Sequence, residues 1–194
     1  MSPALTTRQR LIRTASELLT GSGVEAVTLR GIAKAAGVSH GAPLRHFSGR
    51  AELLSAVATV GFDQLLDRGT RLPTGTPRER VTAACHAYVD FAVTNPAMFE
   101  LMFRRDLIDP DEPQLVAASS AVFDYFAELV RLDLEEASVS RVRPGTDPRL
   151  VAASLWAALH GLAQLWLWGG LAGASFAPSP EAALAVTLDA YLGS

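Results

Sequence analysis

Apolar residues recur at three- and four-residue spacing through most of the chain, and the runs are interrupted at Gly, Pro and Asn. Leu11, Ile12, Ala15, Leu18 and Leu19 share one helix face. Thr6 stands where an N-cap is needed, Gln9 supplies the reciprocal capping group, and Gly21 or Gly23 ends the helix. Thr28 caps a second, short helix with Leu29, Ile32, Ala33 and Ala36 inward, closed by Gly37. Ser39 can cap a third over 39–46, with Phe47 as its anchor to the core. A longer amphipathic helix follows Gly49, and TRLPTGTP (70–77) separates it from a helix over 78–95. Asn95-Pro96 breaks the chain again before a short helix at 96–105 and a loop at 106–113. Further helices are expected at 114–136, 149–168 and 180–192. No segment alternates apolar and polar residues as a strand does, so the pattern predicts an all-α protein.

Two short helices joined by a turn of about three to four residues have the spacing of a helix-turn-helix unit, whose second helix enters the DNA major groove. Charge supports that reading of VSHGAPLRHFSGR (38–50), although a solvated basic turn would have the same composition. Residues 1–50 carry seven Lys and Arg side chains against two carboxylates, a net +5. The remaining 144 residues carry ten against 18, a net −8, so an N-terminal basic unit adjoins an acidic body. Within the segment, small residues at Ser39, Gly41 and Ala42 admit a close backbone approach, and Arg45, His46 and Arg50 suit phosphates. The N-terminus of the next helix offers free N–H groups to a further phosphate. His40 and His46, six residues apart, lie on different sides of a helix, which disfavours a shared metal.

At 194 residues with 49% hydrophobic content, the chain can bury a sizeable core. A single cysteine, Cys85, excludes an intrachain disulfide, and the arginine-interrupted N-terminus does not read as a signal peptide, so a cytoplasmic protein is expected. No nucleophile elbow or glycine-rich phosphate loop is present, and Cys85 and His86, as helix neighbours, point apart. The sequence therefore predicts no enzyme, no metal and no cofactor. One rival class is a membrane-associated helical protein, because residues 150–180 hold no charge over a length that could span a bilayer.

Residues 6–54 resemble the DNA-binding domain of the TetR family of bacterial transcriptional regulators, through the first helix, the G-x-x-x-x-T-L-x-x-I-A stretch, A-G-V-S and the H-F before the next helix. The resemblance implies a three-helix DNA-binding domain at 1–50 and a larger helical ligand-binding and dimerisation domain at 51–194. It implies that Thr28, Arg30, Ser39, His40, Gly41, Ala42, Leu44, Arg45, His46 and Arg50 face a double-stranded operator. Leu44 stands where the family usually has a phosphate-contacting Tyr, and Pro43 lacks an N–H, so two details depart from the pattern. LWAALHG (155–161) is similar to the Trp-His-Gly segment of one C-terminal class of that family.

Aromatic residues distributed over the acidic body give a candidate pocket for a small apolar or amphipathic ligand, with Phe62, Tyr88, Phe103, Phe123, Trp156 and His160 as lining. His160 reads first as a core histidine with a polar partner and second as a ligand contact. Ala153, Ala157 and Gly161 recur every four residues on one face of 149–168, with Gln164 beside them, while Leu155, Leu159, Leu162 and Trp166 lie opposite. That face is the expected homodimer interface, giving a regulator, read as a repressor, that a ligand releases from a palindromic operator.

Overall fold

The computed structural model describes residues 5–137, 142–143, 145–175 and 177–192. They form α1 (Thr7–Ser22), α2 (Leu29–Ala35), α3 (Arg50–Thr70), α4 (Pro77–Thr94), α5 (Pro96–Phe103), α6 (Pro113–Glu136), α7 (Pro148–Leu167), α8 (Gly170–Ser175) and α9 (Pro180–Leu192), with 3₁₀ turns at Val24–Ala26 and Pro43–Arg45. No β-strand occurs among the described residues, as the apolar periodicity predicts.

The chain divides into two compact units, 1–64 with 95–120, and 65–94 with 121–194. Helix α3 runs unbroken from Arg50 to Thr70, so the chain has no break in secondary structure just after the domain boundary expected at residue 50.

In the first unit, the capping box forms: Thr6 Oγ1 accepts from the Gln9 N–H and the Gln9 side chain accepts from the Thr6 N–H. Such a cap is worth about 1 kcal/mol. Gly23 closes α1 and Gly37 follows α2, at φ +77° and +67°, where a side chain would be strained. Leu11, Ala15, Leu19, Val27, Ile32, Ala33, Phe47, Leu53, Leu54 and Val57 are fully buried or nearly so, whereas Leu18, expected among them, is half-buried. Helix α5 packs against α1 and ends at Phe103, two residues before the limit expected from sequence, leaving Arg104 and Arg105 in a turn.

In the second unit, α4, α7 and α9 pack on one another. Their apolar faces bury Val81, Ala84, Phe91, Leu155, Leu159, Leu184 and Leu188. Each buried leucine contributes about 1.5–3 kcal/mol of transfer free energy. The Arg78 guanidinium pairs with the buried Asp133 carboxylate at 2.6 and 3.0 Å and also donates to the Leu192 carbonyl, tying α4 to α6 and to the end of α9. Tyr125 donates to the Gly69 carbonyl at 2.7 Å, fixing α6 to the end of α3.

The uncharged run 150–180 is not one spanning helix. Helix α7 stops at Leu167, Gly169 turns the chain at φ +75°, and the short α8, not foreseen from sequence, follows. Among the described residues α7 alone has the length and apolarity to cross a bilayer, yet Leu155, Leu159, Leu162 and Ala163 lie in the protein core.

Candidate nucleic-acid interface and aromatic cluster

The third helix expected over 39–46 is instead a turn followed by a single 3₁₀ turn. An α-helix here would need the residue 43 N–H to bond the Ser39 carbonyl, and Pro43 has none. The carbonyl accepts from the Ala42 N–H instead, at 2.9 Å, and Arg45 and His46 continue with i to i+3 bonds to Ala42 and Pro43. Phe47 then bonds back to the Pro43 carbonyl at 2.9 Å. Ala42 stands at the N-cap, with no side-chain cap, so Ser39 does not play that part.

This turn has a buried back and an open front. Pro43 and Phe47 are buried, while Ser39, His40, Gly41, Leu44 and Arg45 are exposed and Ala42 and His46 are half-buried. Leu44 is 62% exposed. Arg30 and Lys34 of α2 are exposed as well. Among the described residues Arg30, Lys34 and Arg45 make no ion pair or side-chain hydrogen bond. Lys34 belongs with the candidates, although no motif position marks it in the sequence.

Other candidates have prior commitments. Thr28 Oγ1 accepts from the Gly31 N–H at 3.0 Å, capping α2. Arg50 donates from Nε to the Val27 carbonyl at 2.8 Å and from Nη2 to the Val24 carbonyl at 2.7 Å, and lies 3.6 Å from the Glu25 carboxylate. Just ahead of α3, whose N-terminus is an expected phosphate site, the Glu52 carboxylate accepts from the Ser48 N–H at 2.7 Å and Oγ at 2.8 Å. Those bonds hold the Glu52 carboxyl below its ordinary pKa. Arg8 stacks over the Phe47 ring at 5.3 Å, and Arg10 donates to the Ala36 carbonyl at 3.3 Å.

The six expected ligand-lining residues fall into two groups. Phe62 and Phe103 meet edge-on in the first unit, their centroids 5.7 Å apart, and Phe99 stands 5.3 Å from Phe103. Tyr88, Phe123, Trp156 and His160 meet in the second. Trp156 Nε1 donates to the Tyr88 hydroxyl at 3.1 Å, and that hydroxyl lies 3.0 Å from His160 Nδ1. Phe123 is 6.0 Å from the Trp156 ring, which is 6.2 Å from His160. Burial pushes the Tyr88 phenol up and the His160 imidazole down, so both are neutral near pH 7. An open groove of about 650 Å³ lies elsewhere in this unit, where Ala83 and Ala87 of α4 face Leu184 of α9. Cys85 is buried with its thiol pushed up to about 12, while His86 is exposed, so these neighbours form no reactive pair.

The described residues are all-helical or loop, with a basic N-terminal unit in which a short helix leads into an exposed turn, ahead of a larger helical body, the arrangement of a DNA-binding transcriptional regulator. Residues 11–57 match the bacterial regulatory proteins of the TetR family, and residues 81–191 match the tetracyclin repressor-like C-terminal domain. The chain belongs to the TetR family. It is 30% identical over 170 residues to the HTH-type transcriptional activator FasR of Mycolicibacterium smegmatis, covering 82% of this chain and 72% of that one. A Rhodococcus sp. RHA1 protein of unknown function shares 30% identity and a TM-score of 0.80, over 98% and 96% of the two chains. The TetR-family regulator PfmR of Thermus thermophilus shares the fold, with a TM-score of 0.66 at 21% identity over 94% and 97%.

Proposed function

We propose that the protein is a cytoplasmic homodimer that represses transcription from a palindromic operator and leaves it when a small apolar or amphipathic molecule binds the second unit. The observation that carries the DNA contact is the segment 39–46. Its apolar back is buried, and its open front combines the small residues Gly41 and Ala42 with Leu44 and with Arg45, which makes no ion pair among the described residues. Small residues let the backbone enter the major groove. Arg45, with Arg30 and Lys34 on the preceding helix, supplies charge for phosphates, and His40 and Leu44 meet base edges.

The ligand seat is the cluster of Tyr88, Phe123, Trp156 and His160, which joins apolar rings to hydrogen-bonding atoms. A ligand acts only through its differential affinity for the DNA-competent and DNA-incompetent forms, typically ~1–3 kcal/mol. The experiment is selection of duplexes from a random library by purified protein, then in vitro transcription from a promoter carrying the selected site. An inverted repeat with half-sites about 34–36 Å apart and a fall in transcript is expected. A rise in transcript would make it an activator, as the mycobacterial relative is named.

A further inference from the structure

The Arg50 guanidinium reaches from the first residue of α3 to two carbonyls of the segment before α2. We propose that Arg50 is a positioning residue, which locks α2 to α3 and so sets the register of the reading turn on DNA, and that it is not a phosphate ligand. The inference rests on the DNA-binding reading above and assigns Arg50 a different part in it.

Three observations carry the assignment. First, the bonds are fork-like: Nε on Val27 and Nη2 on Val24 use two donors fixed in one plane, which gives orientation as well as energy. Second, its charge faces the Glu25 carboxylate at 3.6 Å, and the side chain is 34% exposed, so its field toward solvent is partly cancelled. Among the described residues the exposed Arg30, Lys34 and Arg45 have no such counter-charge.

Third, the gripped segment is the one that fixes where α2 begins. Val27 is buried, and Thr28 caps α2 through the Gly31 N–H. A Cβ at Gly31 would stand 2.9 Å from Thr28 Oγ1 and 3.1 Å from the Ala26 carbonyl, so the segment lies directly on the helix start. Helix α2 in turn packs on the Pro43–Arg45 turn, and α3 begins a few residues after that turn. Arg50 thus closes a ring of contacts around the turn that reads the bases.

The two roles respond differently to substitution. Arg50→Lys keeps the charge but cannot reach both carbonyls with a planar fork, and Arg50→Met removes charge and fork together. Both full-length variants are titrated against a duplex selected by the wild-type protein and against a scrambled duplex of equal length, over a range of salt. The folded fraction of each is set by stoichiometric titration. Positioning predicts that Lys and Met lose about tenfold in affinity for the selected duplex alike. Binding to the scrambled duplex stays within about twofold, and the slope of log affinity against log salt is unchanged. A phosphate contact predicts that Lys retains affinity while Met lowers that slope by about 0.9. That result, or wild-type affinity in both variants, overturns the proposal.

Amide exchange on the DNA-free protein separates failure of this assignment from failure of the DNA reading. Gly31 and Ile32 amides, which bond to Thr28, should exchange faster in both variants while Leu53 and Leu54 of α3 keep their protection. Unchanged exchange at Gly31 and Ile32 refutes the lock whether or not any duplex is selected.

Discussion

The Tyr88 hydroxyl lies 3.0 Å from His160 Nδ1 and receives the Trp156 Nε1–H at 3.1 Å. An indole N–H is only a donor, so the phenol oxygen accepts from Trp156. Toward His160 the hydroxyl donates to Nδ1 in one imidazole tautomer and accepts from Nδ1–H in the other.

Burial of His160 fixes a pH dependence. The His160 pKa is lowered by burial, so the unfolded chain takes up the proton first as pH falls. The contribution of His160 is thus fully present above the ordinary histidine pKa of about 6.5 and is lost as pH drops toward the depressed folded value. Thermal melting from about pH 7.5 to about pH 5.5, a window bracketing that ordinary value, should show the wild type losing more stability than His160→Gln. Equal slopes would mean that this imidazole does not carry the effect.

Tyr88→Phe should destabilise the chain by ~1–3 kcal/mol, because removing the hydroxyl takes a partner from both Trp156 and His160. If the cluster is also the ligand seat, the variant's operator affinity should respond less to an active ligand, with basal DNA affinity unchanged within about twofold. Chemical denaturation checks the first outcome, and operator titration with and without ligand checks the second.

Arg30, Lys34 and Arg45 are exposed cations of this region without an intramolecular partner among the described residues. Each that meets a phosphate should, when changed to Ala, weaken binding to all duplexes similarly and lower the salt slope by about 0.9. His40→Ala should shift base preference and leave the slope unchanged. Titrations at several salt concentrations distinguish these outcomes.

Leu44 has no hydrogen-bonding atom in its side chain, so where that side chain meets DNA it meets an apolar surface. In the major groove the apolar group on a base edge is the thymine methyl. Replacing single thymines of the selected half-site by uracil should reveal one position where loss of the methyl weakens wild-type binding several-fold. Leu44→Ala should be indifferent to that replacement. A wild-type protein insensitive to uracil at every position would remove Leu44 from base reading.

The helical frame is legible in the sequence because its signals are local. The Thr6 and Thr28 caps, the Gly23 and Gly37 ends and the 180–192 helix depend on residues a turn apart. What the sequence hides depends on distant atoms or on small energy differences. Pro43 converts an expected helix to i to i+3 turns through one missing donor. Arg50 reads as a phosphate ligand because its partners, Val24 and Val27, offer only backbone carbonyls 26 and 23 residues away, which no side-chain pattern reports. Aromatic character alone marks the pocket candidates, and only the folded chain sorts Tyr88, Phe123, Trp156 and His160 from Phe62 and Phe103.

Helix α7 presents two unlike faces, and their difference predicts the subunit interface. Leu155, Leu159 and Leu162 are buried within the chain. Leu150, Ser154, Ala157, Gly161, Leu165 and Trp168 follow one another at spacings of three and four, so they form a single stripe on another face. Leu150 and Trp168 are 66% and 71% exposed, and Val186 of α9 is 69% exposed. Trp168 lies outside the set expected from sequence, which stresses the smaller side chains of Ala153, Ala157, Gly161 and Gln164. A stripe with large apolar ends and a small-residue centre suits a close helix crossing, and two-fold symmetry would pair it with itself. Gly161 provides the sharpest test, because a Cβ there meets no atom within 4 Å in the single chain. Gly161→Arg should therefore leave the subunit folded, yet place a charge in the crossing and cost several kcal/mol of association. Sedimentation should show a folded monomer, and binding to a palindromic duplex should fall by at least about tenfold because one reading turn spans only a half-site. A stable dimer with wild-type operator affinity would place the interface elsewhere.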